Sequence, residues 1–186
     1  WKIRYEQLSG STVYDGHYLA APYASVLSRS SEFIEDLEAI YGVPVSRDKK
    51  QSVYLGIGWH KWQRGVGYDE TYEWGYVPIG YRYEFLQKKK FQMAVDVSAK
   101  IMFSGRLIVA SDGDSIQLKI GNRPGLRIEL PMTYRMDEHW GLSLTPWYEY
   151  FQLGKSPIFL SAEGGIEEPA STNRQYGVNI GLQYHF

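Results

Sequence analysis

Apolar and polar residues alternate along most of this chain. The clearest run covers residues 176–186, where even positions are aromatic or aliphatic and odd positions are small or polar. The apolar positions are Tyr176, Val178, Ile180, Leu182, Tyr184 and Phe186. Because successive side chains of a strand point to opposite faces, this pattern predicts a β-strand with one apolar face. Aromatic residues end that face and aliphatic residues occupy its middle, as in strands that cross a bilayer.

The same alternation recurs upstream and predicts an antiparallel, all-β fold. The predicted strands cover residues 1–9, 17–28, 53–59, 77–85, 91–103, 126–134, 140–150 and 176–186. Pro22 weakens the second of these, because proline cannot donate to a strand ladder. The connections alternate between short (86–90, 136–139) and long (61–73, 104–123, 154–174). This arrangement is typical of an up-and-down transmembrane barrel, here of eight strands in a single domain, 1–186.

Residues 31–42 break the alternation. Phe33, Ile34, Leu37, Ile40 and Tyr41 fall on one face of a helix, with acidic residues on the other and Gly42 at its end. We therefore predict one short helix near 31–42. By strand parity it would lie on the periplasmic side, against the membrane interface or the barrel rim, or as a packed connector.

Composition favours a membrane barrel over other classes. Aromatic residues make up 16% of the chain although its mean hydropathy is −0.38. No stretch approaches the ~20 apolar residues of a membrane helix, but several alternating runs reach the ~9–11 residues of a membrane strand. The net charge of −1 argues against a nucleic-acid partner. Because the chain begins at Trp1 without a signal sequence, we expect a processed mature form.

The polar faces of these strands carry charges of both signs. The predicted lumen charge network comprises Arg82, Glu84, Asp96, Lys100, Arg127, Glu129 and Glu149, and Lys2, Arg4 and Glu6 share its face. A soluble barrel of the lipocalin type would turn its apolar face inward. Eight strands enclose little more than the volume of their own side chains. So many aromatic residues would overfill that volume, whereas opposite charges can pair within it.

The final strand resembles that of the small bacterial outer-membrane barrels, such as the transmembrane domain of outer-membrane protein A. The residues that carry the resemblance are Gln183, Tyr184, His185 and the C-terminal Phe186. The resemblance implies that Tyr184 and Phe186 form a signal for the outer-membrane assembly machinery. It also implies periplasmic N- and C-termini and contact with outer-membrane lipid and lipopolysaccharide.

Candidate chemistry in the loops is weak. A resemblance to the barrel acyltransferases that modify lipid A would imply a catalytic set of His17, Asp114 and Ser115, but residues 111–115 have ordinary turn composition. His60 is the only histidine placed for a deacylase, and no serine lies two positions away. The four histidines are scattered, so no metal site is predicted. The segments 111–115 and 163–168 offer oxygen ligands but lack calcium-loop spacing, and no cofactor is predicted.

The sequence therefore predicts an integral outer-membrane barrel with a filled polar lumen. It would be structural or would interact through its extracellular loops, and it is not predicted to be an enzyme. A lipid A-modifying acyltransferase or hydrolase and a narrow, porin-like pore for small solutes remain the alternatives.

Overall fold

The computed structural model describes residues 1–17, 25–65, 69–111, 114–161 and 164–184, and that part of the chain is all β. Its strands are β1 (Lys2–His17), β2 (Ser25–Pro44), β3 (Gln51–Gly65), β4 (Asp69–Gln87), β5 (Phe91–Ser111), β6 (Asp114–Lys119), β7 (Pro124–Glu129), β8 (Met132–Arg135), β9 (Trp140–Leu153), β10 (Phe159–Ser161), β11 (Gly164–Ile166) and β12 (Ser171–Tyr184). Over these residues there is no helix of the length and apolarity that a membrane span requires.

The strands form one antiparallel, up-and-down sheet of ten, plus the small hairpin β10–β11. The path across the sheet passes through eight strands in the order β1-β2-β3-β4-β5-β7-β9-β12. The other two strands of the ten are β6 and β8. The short strands β6, β7 and β8 follow one another along the chain and pair with successive parts of the long strand β5. The predicted all-β, antiparallel fold is confirmed.

The predicted helix near 31–42 is wrong, because this segment belongs to β2. β2 pairs with β1 on one side and with β3 on the other. Asp36 and Glu38 point inward and are 4% exposed, while Leu37 between them is 45% exposed. The sequence of this segment does not show a clear alternation of polar and apolar residues, because Ile34 and Ile40 lie on the otherwise polar, inward face. The predicted strand 17–28 is also wrong as a single element: residue 17 ends β1, residues 25–28 begin β2, and residues 18–24 lie outside the described residues.

The predicted long loops are mostly strand. β3 and β4 extend to Gly65 and Asp69, and β5 extends to Ser111, where β6 pairs back onto it. The predicted short connections at 86–90 and 136–139 are confirmed as tight turns between paired strands. The up-and-down order puts the turns 45–50, 88–90 and 136–139 at one end with both termini, and we call this the short-turn end. The opposite end is the hairpin end.

The sheet curls around a filled interior, which we call the lumen. Arg4 on β1 reaches Glu129 on β7, with 2.6 Å between guanidinium nitrogen and carboxylate oxygen, although these strands are far apart in the sheet. Among the described residues no backbone ladder joins β1 to β12. Side chains bridge that seam instead: the Asn179 amide donates to the Glu6 carboxylate at 2.8 Å.

Asp137 organises the short turn between β8 and β9. Its carboxylate accepts the backbone N–H groups of Trp140 and His139, each at 2.8 Å. These bonds favour the charged carboxylate, and they hold the pKa of Asp137 below its ordinary value.

Candidate functional site: the lumen

Arg127 is the centre of the lumen. Its guanidinium is 3% exposed and donates to the carboxylates of Glu129 (2.7 Å), Glu149 (2.9 Å) and Glu6 (3.0 Å). It also lies over the Trp147 ring, 4.6 Å from the ring centroid. A guanidinium has five N–H donors in a fixed plane, which is why one arginine can hold three acids. The Trp147 ring adds a cation–π contact with the guanidinium.

Lys100 and Arg4 extend this network across the lumen. Lys100 lies 2.7 Å from Glu149 and 3.6 Å from Asp36, and Arg4 lies 2.6 Å from Glu129 and 2.9 Å from Glu38. We call the connected group of three cations and five carboxylates the mid-lumen cluster, which comprises Arg4, Glu6, Asp36, Glu38, Lys100, Arg127, Glu129 and Glu149. Buried charges require such partners, because an unpaired one would carry a large desolvation cost.

An aspartate–histidine pair borders the mid-lumen cluster. His60 Nδ1 lies 2.9 Å from Asp36, and the Tyr76 hydroxyl donates to the other oxygen of the same carboxylate at 2.6 Å. The imidazole stacks on Trp74 with 4.2 Å between ring centroids. His60 Nε2 has no hydrogen-bond partner within the described part of the chain. An acid orients a histidine in this way in general-base catalysis, but among the described residues no hydroxyl group contacts the imidazole.

Arg82, Glu84 and Asp96 lie apart from this cluster, at the short-turn end. Arg82 is 3.4 Å from Glu84 and 3.9 Å from Asp96, and its side chain is about one-third exposed. The Tyr54 hydroxyl donates to Asp96. The structure thus divides the predicted lumen charge network: these three residues form a separate group in which the side chains of Arg82 and Glu84 are 35% and 30% exposed and Asp96 is buried, while Lys100, Arg127, Glu129 and Glu149 belong to the mid-lumen cluster.

Apolar side chains fill the lumen between the mid-lumen cluster and the hairpin end. We call them the apolar layer; they are Tyr72, Trp74, Tyr76, Met102, Leu107, Leu118, Ile120, Phe151 and Leu153, all less than 9% exposed. Trp74 and Phe151 are in tilted contact at 5.3 Å, and both rings also contact His60. Charged side chains and aromatic rings therefore occupy successive layers of the lumen.

A second polar group ties the hairpin end. Arg64 Nε donates to Glu70 at 2.7 Å, and the Tyr72 hydroxyl donates to Glu168 at 3.0 Å. Two hydrogen bonds join Glu168 to Ser156. The backbone N–H of Glu168 donates to the Ser156 hydroxyl at 2.8 Å, and the backbone N–H of Ser156 donates to the Glu168 carbonyl at 2.9 Å. Burial raises the pKa of Glu168. The segment between β9 and β12 is thus bound to the rim formed by β3 and β4.

The candidate catalytic residues stand on different hairpins. His17 ends β1, whereas Asp114 and Ser115 begin β6, and β1 and β6 are not neighbours in the sheet. The side chains of His17 and Asp114 lie outside what the structure describes, and Ser115 is exposed. That set stays a prediction.

The predicted assembly signal lies at the very end of β12. Tyr184 is the last residue of that strand and pairs with Trp140, and Phe186 lies outside the described residues. The outward row before it is confirmed as far as Leu182, which is 63% exposed. Its role as a signal stays a prediction.

Sequence reasoning missed Asp36 and Glu38 as lumen residues and the pairing of His60. The available signal was acidic residues at 32, 36 and 38 with apolar residues at 33, 37 and 41, which is alternation with three exceptions, at 34, 35 and 40. No sequence signal marks the pairing of His60, because its partner Asp36 lies on the segment 31–42, for which the local pattern predicts a helix.

No protein-family profile matches the chain, and no curated protein matches it. Among solved structures, the chain is similar to the crystal structure of Neisserial surface protein A, with 12% identity, a TM-score of 0.42 and coverage of 100% of both chains.

Proposed function

We propose that this chain is an integral barrel of the bacterial outer membrane that acts through the surface it presents at its hairpin end. The observation that carries the proposal is an inverted distribution of polarity. Ile57, Ile79 and Ile180 are 61%, 52% and 72% exposed on the outward face, whereas Lys100 and Arg127 are 5% and 3% exposed inside. A soluble protein does the reverse.

The outward face matches a bilayer in detail. On β9 the exposed apolar residues run from Trp140 through Leu142 and Leu144 to Tyr148, with aromatic side chains at both ends. Interfacial aromatic and central aliphatic residues suit the two environments of a membrane. β3, β4, β5, β9 and β12 contain 14 to 21 residues, more than the ~9–11 that a tilted strand needs to cross the hydrocarbon.

The filled lumen supports a surface role over a pore. The mid-lumen cluster holds opposite charges within 2.6 to 3.6 Å, and the apolar layer lies beyond it toward the hairpin end. A water-filled channel would instead leave space between its charged rings. We therefore place the function in the hairpins and the outer wall, with the lumen as structural support.

Heat-modifiable gel mobility tests the barrel itself. Protein refolded in detergent should migrate faster unheated than boiled, and it should fractionate with the outer membrane in cells. Tags inserted at 66–68 or 112–113 should be accessible on intact cells, whereas a tag at 88–90 should be hidden. Unchanged mobility would overturn the barrel proposal, and reversed tag accessibility would overturn the periplasmic assignment of the termini.

Deleting Phe186 tests the proposed assembly signal. An interfacial aromatic residue contributes about 1–3 kcal/mol by burial, too little for one deletion to abolish folding. Deletion should therefore lower insertion in cells far more than stability in detergent, and His185→Ala should leave insertion nearly unchanged. Normal insertion without Phe186 would contradict the signal.

Lipid A analysis addresses the enzymatic alternative. Mass spectra of lipid A from cells with and without the protein should be identical if it has no acyltransferase or hydrolase activity. A change that disappears with Ser115→Ala would instead support the set that contains His17 and Asp114.

A further inference from the structure

A groove of about 490 Å³ lies on the outward face between β2 and β5. The outward-facing apolar residues of its lining are Leu37, Ala39, Ile57, Trp59, Gly75 and Phe103, and its charged end is Glu73 and Arg106; Gly58, Trp74 and Ser104 complete the lining. The apolar residues belong to the outward belt that faces lipid under the proposed function, so this inference rests on that proposal. The groove is therefore a depression in the lipid-facing wall.

A missing side chain and an extra residue shape this groove. A Cβ at Gly75 would lie 2.4 Å from the Phe103 ring, so the ring crosses β4 where a side chain would otherwise stand. Next to it, the register of β4 and β5 shifts between Glu73 and Gly75, and Ser104 adopts a positive φ of 53°. Such a bulge re-aims the side chains that follow it. As a result Arg106 points outward beside Glu73.

The charged end can accept a further anion. Arg106 places Nε and Nη2 on a single oxygen of Glu73, and its side chain remains 49% exposed. Among the described residues, its Nη1 makes no hydrogen bond. On β3, where Lys61 pairs with Glu73 of β4, the Lys61 ammonium lies 3.6 Å from Glu35 on the same outward face. Exposed guanidinium N–H groups favour phosphate, which accepts two parallel bonds.

We infer that the groove binds a phosphorylated, acylated glycolipid of the outer leaflet. One acyl chain lies against Gly75 and Phe103, and a headgroup phosphate accepts hydrogen bonds from Arg106. An apolar groove left empty would forfeit dispersion contacts along its whole lining, so in a bilayer a lipid chain fills it. Arg106, at the end of the groove, favours lipids whose headgroup carries a phosphate. Because the groove's charged end points toward the hairpin end, which is extracellular under the proposed function, the lipid belongs to the outer leaflet.

Native mass spectrometry of the detergent-folded, heat-modifiable protein tests this site. The probes are bisphosphorylated hexa-acyl lipid A and the same lipid without phosphates. The wild type should retain the phosphorylated form preferentially. Arg106→Gln should reduce that retention about tenfold, the effect of losing a charge-assisted hydrogen bond of roughly 1.5 kcal/mol. Ala39→Phe, which fills the groove, should reduce retention of both lipids.

Two matched variants control for charge and bulk. Arg135→Gln removes an exposed arginine at the short-turn end, and Ala99→Phe adds the same ring to an outward position away from the groove. Both should bind like the wild type. Equal retention of the two lipids by the wild type, unchanged binding in Ala39→Phe, or a dimer that Ala39→Phe abolishes would each overturn the inference. A wild type that is not heat-modifiable would instead contradict the proposed function.

Discussion

Replacing Arg127 with methionine would test whether the lumen is dry and filled. The substitution keeps an unbranched side chain of similar length over Trp147 but removes the hydrogen bonds that the guanidinium donates to Glu6, Glu129 and Glu149. These carboxylates lie 2.7 to 3.0 Å from the guanidinium, which is 3% exposed. The change therefore removes one charge and three hydrogen bonds from a buried site.

The magnitude follows from what each carboxylate retains. Breaking a buried ion pair by removing one partner costs about 3–5 kcal/mol, because the other charge is left uncompensated. Here every acid keeps one donor. The retained donors are Lys100 for Glu149, Arg4 for Glu129 and the Asn179 amide for Glu6. We therefore expect a loss of unfolding free energy near the lower limit, about 3 kcal/mol.

Urea titration of the protein in detergent micelles measures this loss. Tryptophan fluorescence reports unfolding, because Trp147 lies directly against the substituted side chain. Arg82→Met is the matched control. The Arg82 side chain is 35% exposed and lies 3.4 and 3.9 Å from its acids, so its removal should cost less than about 1 kcal/mol.

A loss below about 1 kcal/mol for Arg127→Met would refute the reasoning, because that is the value of a hydrated ion pair. Water would then have to reach the mid-lumen cluster. The same result would predict measurable single-channel conductance, and it would move the narrow pore ahead of the surface role.

Three further changes test separate features. Gly58→Ala should cost about 1–3 kcal/mol by overpacking, because its Cβ would lie 2.2 Å from the fully buried ring of Tyr76; urea titration measures this. Ile79→Arg should cost about 2–4 kcal/mol in a bilayer, because it puts a charge on the outward face that lies in lipid under the proposed function, and refolding into vesicles measures that. The amide resonance of Trp140 should titrate with Asp137 at a midpoint below the ordinary pKa of an aspartate, since the turn is stabilised above that ordinary pKa and loosens as pH falls through the lowered one.

Each of these changes has its own control. Gly42→Ala should be nearly neutral, because the nearest atom to its Cβ would be at 3.4 Å. Ile79→Leu keeps the lipid face apolar, and equal effects of leucine and arginine would mean that this face is not in hydrocarbon. Asp137→Ala should abolish the titration of the Trp140 amide, and a persisting titration would assign it to another group.

Alternation alone predicted most of the architecture, because burial in a two-faced sheet imposes a period of two on every strand. Val97 and Ser98 illustrate it: the structure turns the first outward and buries the second at 6% exposure. The prediction failed at β2, where Glu35 faces outward and Ile34 inward. Strand pairing on both sides overrides that local mixture, and no single-segment pattern contains this information.

The ends of the strands were also unpredictable for a physical reason. At Ser104 the bulge reverses which parity points inward, so that Leu107 is buried where continued alternation would expose it. When the inward positions change from even to odd numbers within one strand, the alternation of polar and apolar residues is lost, and the segment is predicted to be a loop. The candidate site could be predicted only in part. Its charged residues are identifiable by residue type, but the role of His60 depends on its contact with Asp36, which is 24 positions away in the sequence.

The seam between β1 and β12 has a consequence for how the molecule assembles. Every ladder of the sheet joins strands that follow one another along the chain or nearly so, whereas this seam joins the two ends of the sequence. Contacts between such distant positions form late, since the intervening chain must be ordered first. Glu6 and Asn179 are separated by 173 positions, so their hydrogen bond can form only after the sheet has curled. Substitutions at either residue should therefore accelerate unfolding while leaving the rate of strand addition unchanged.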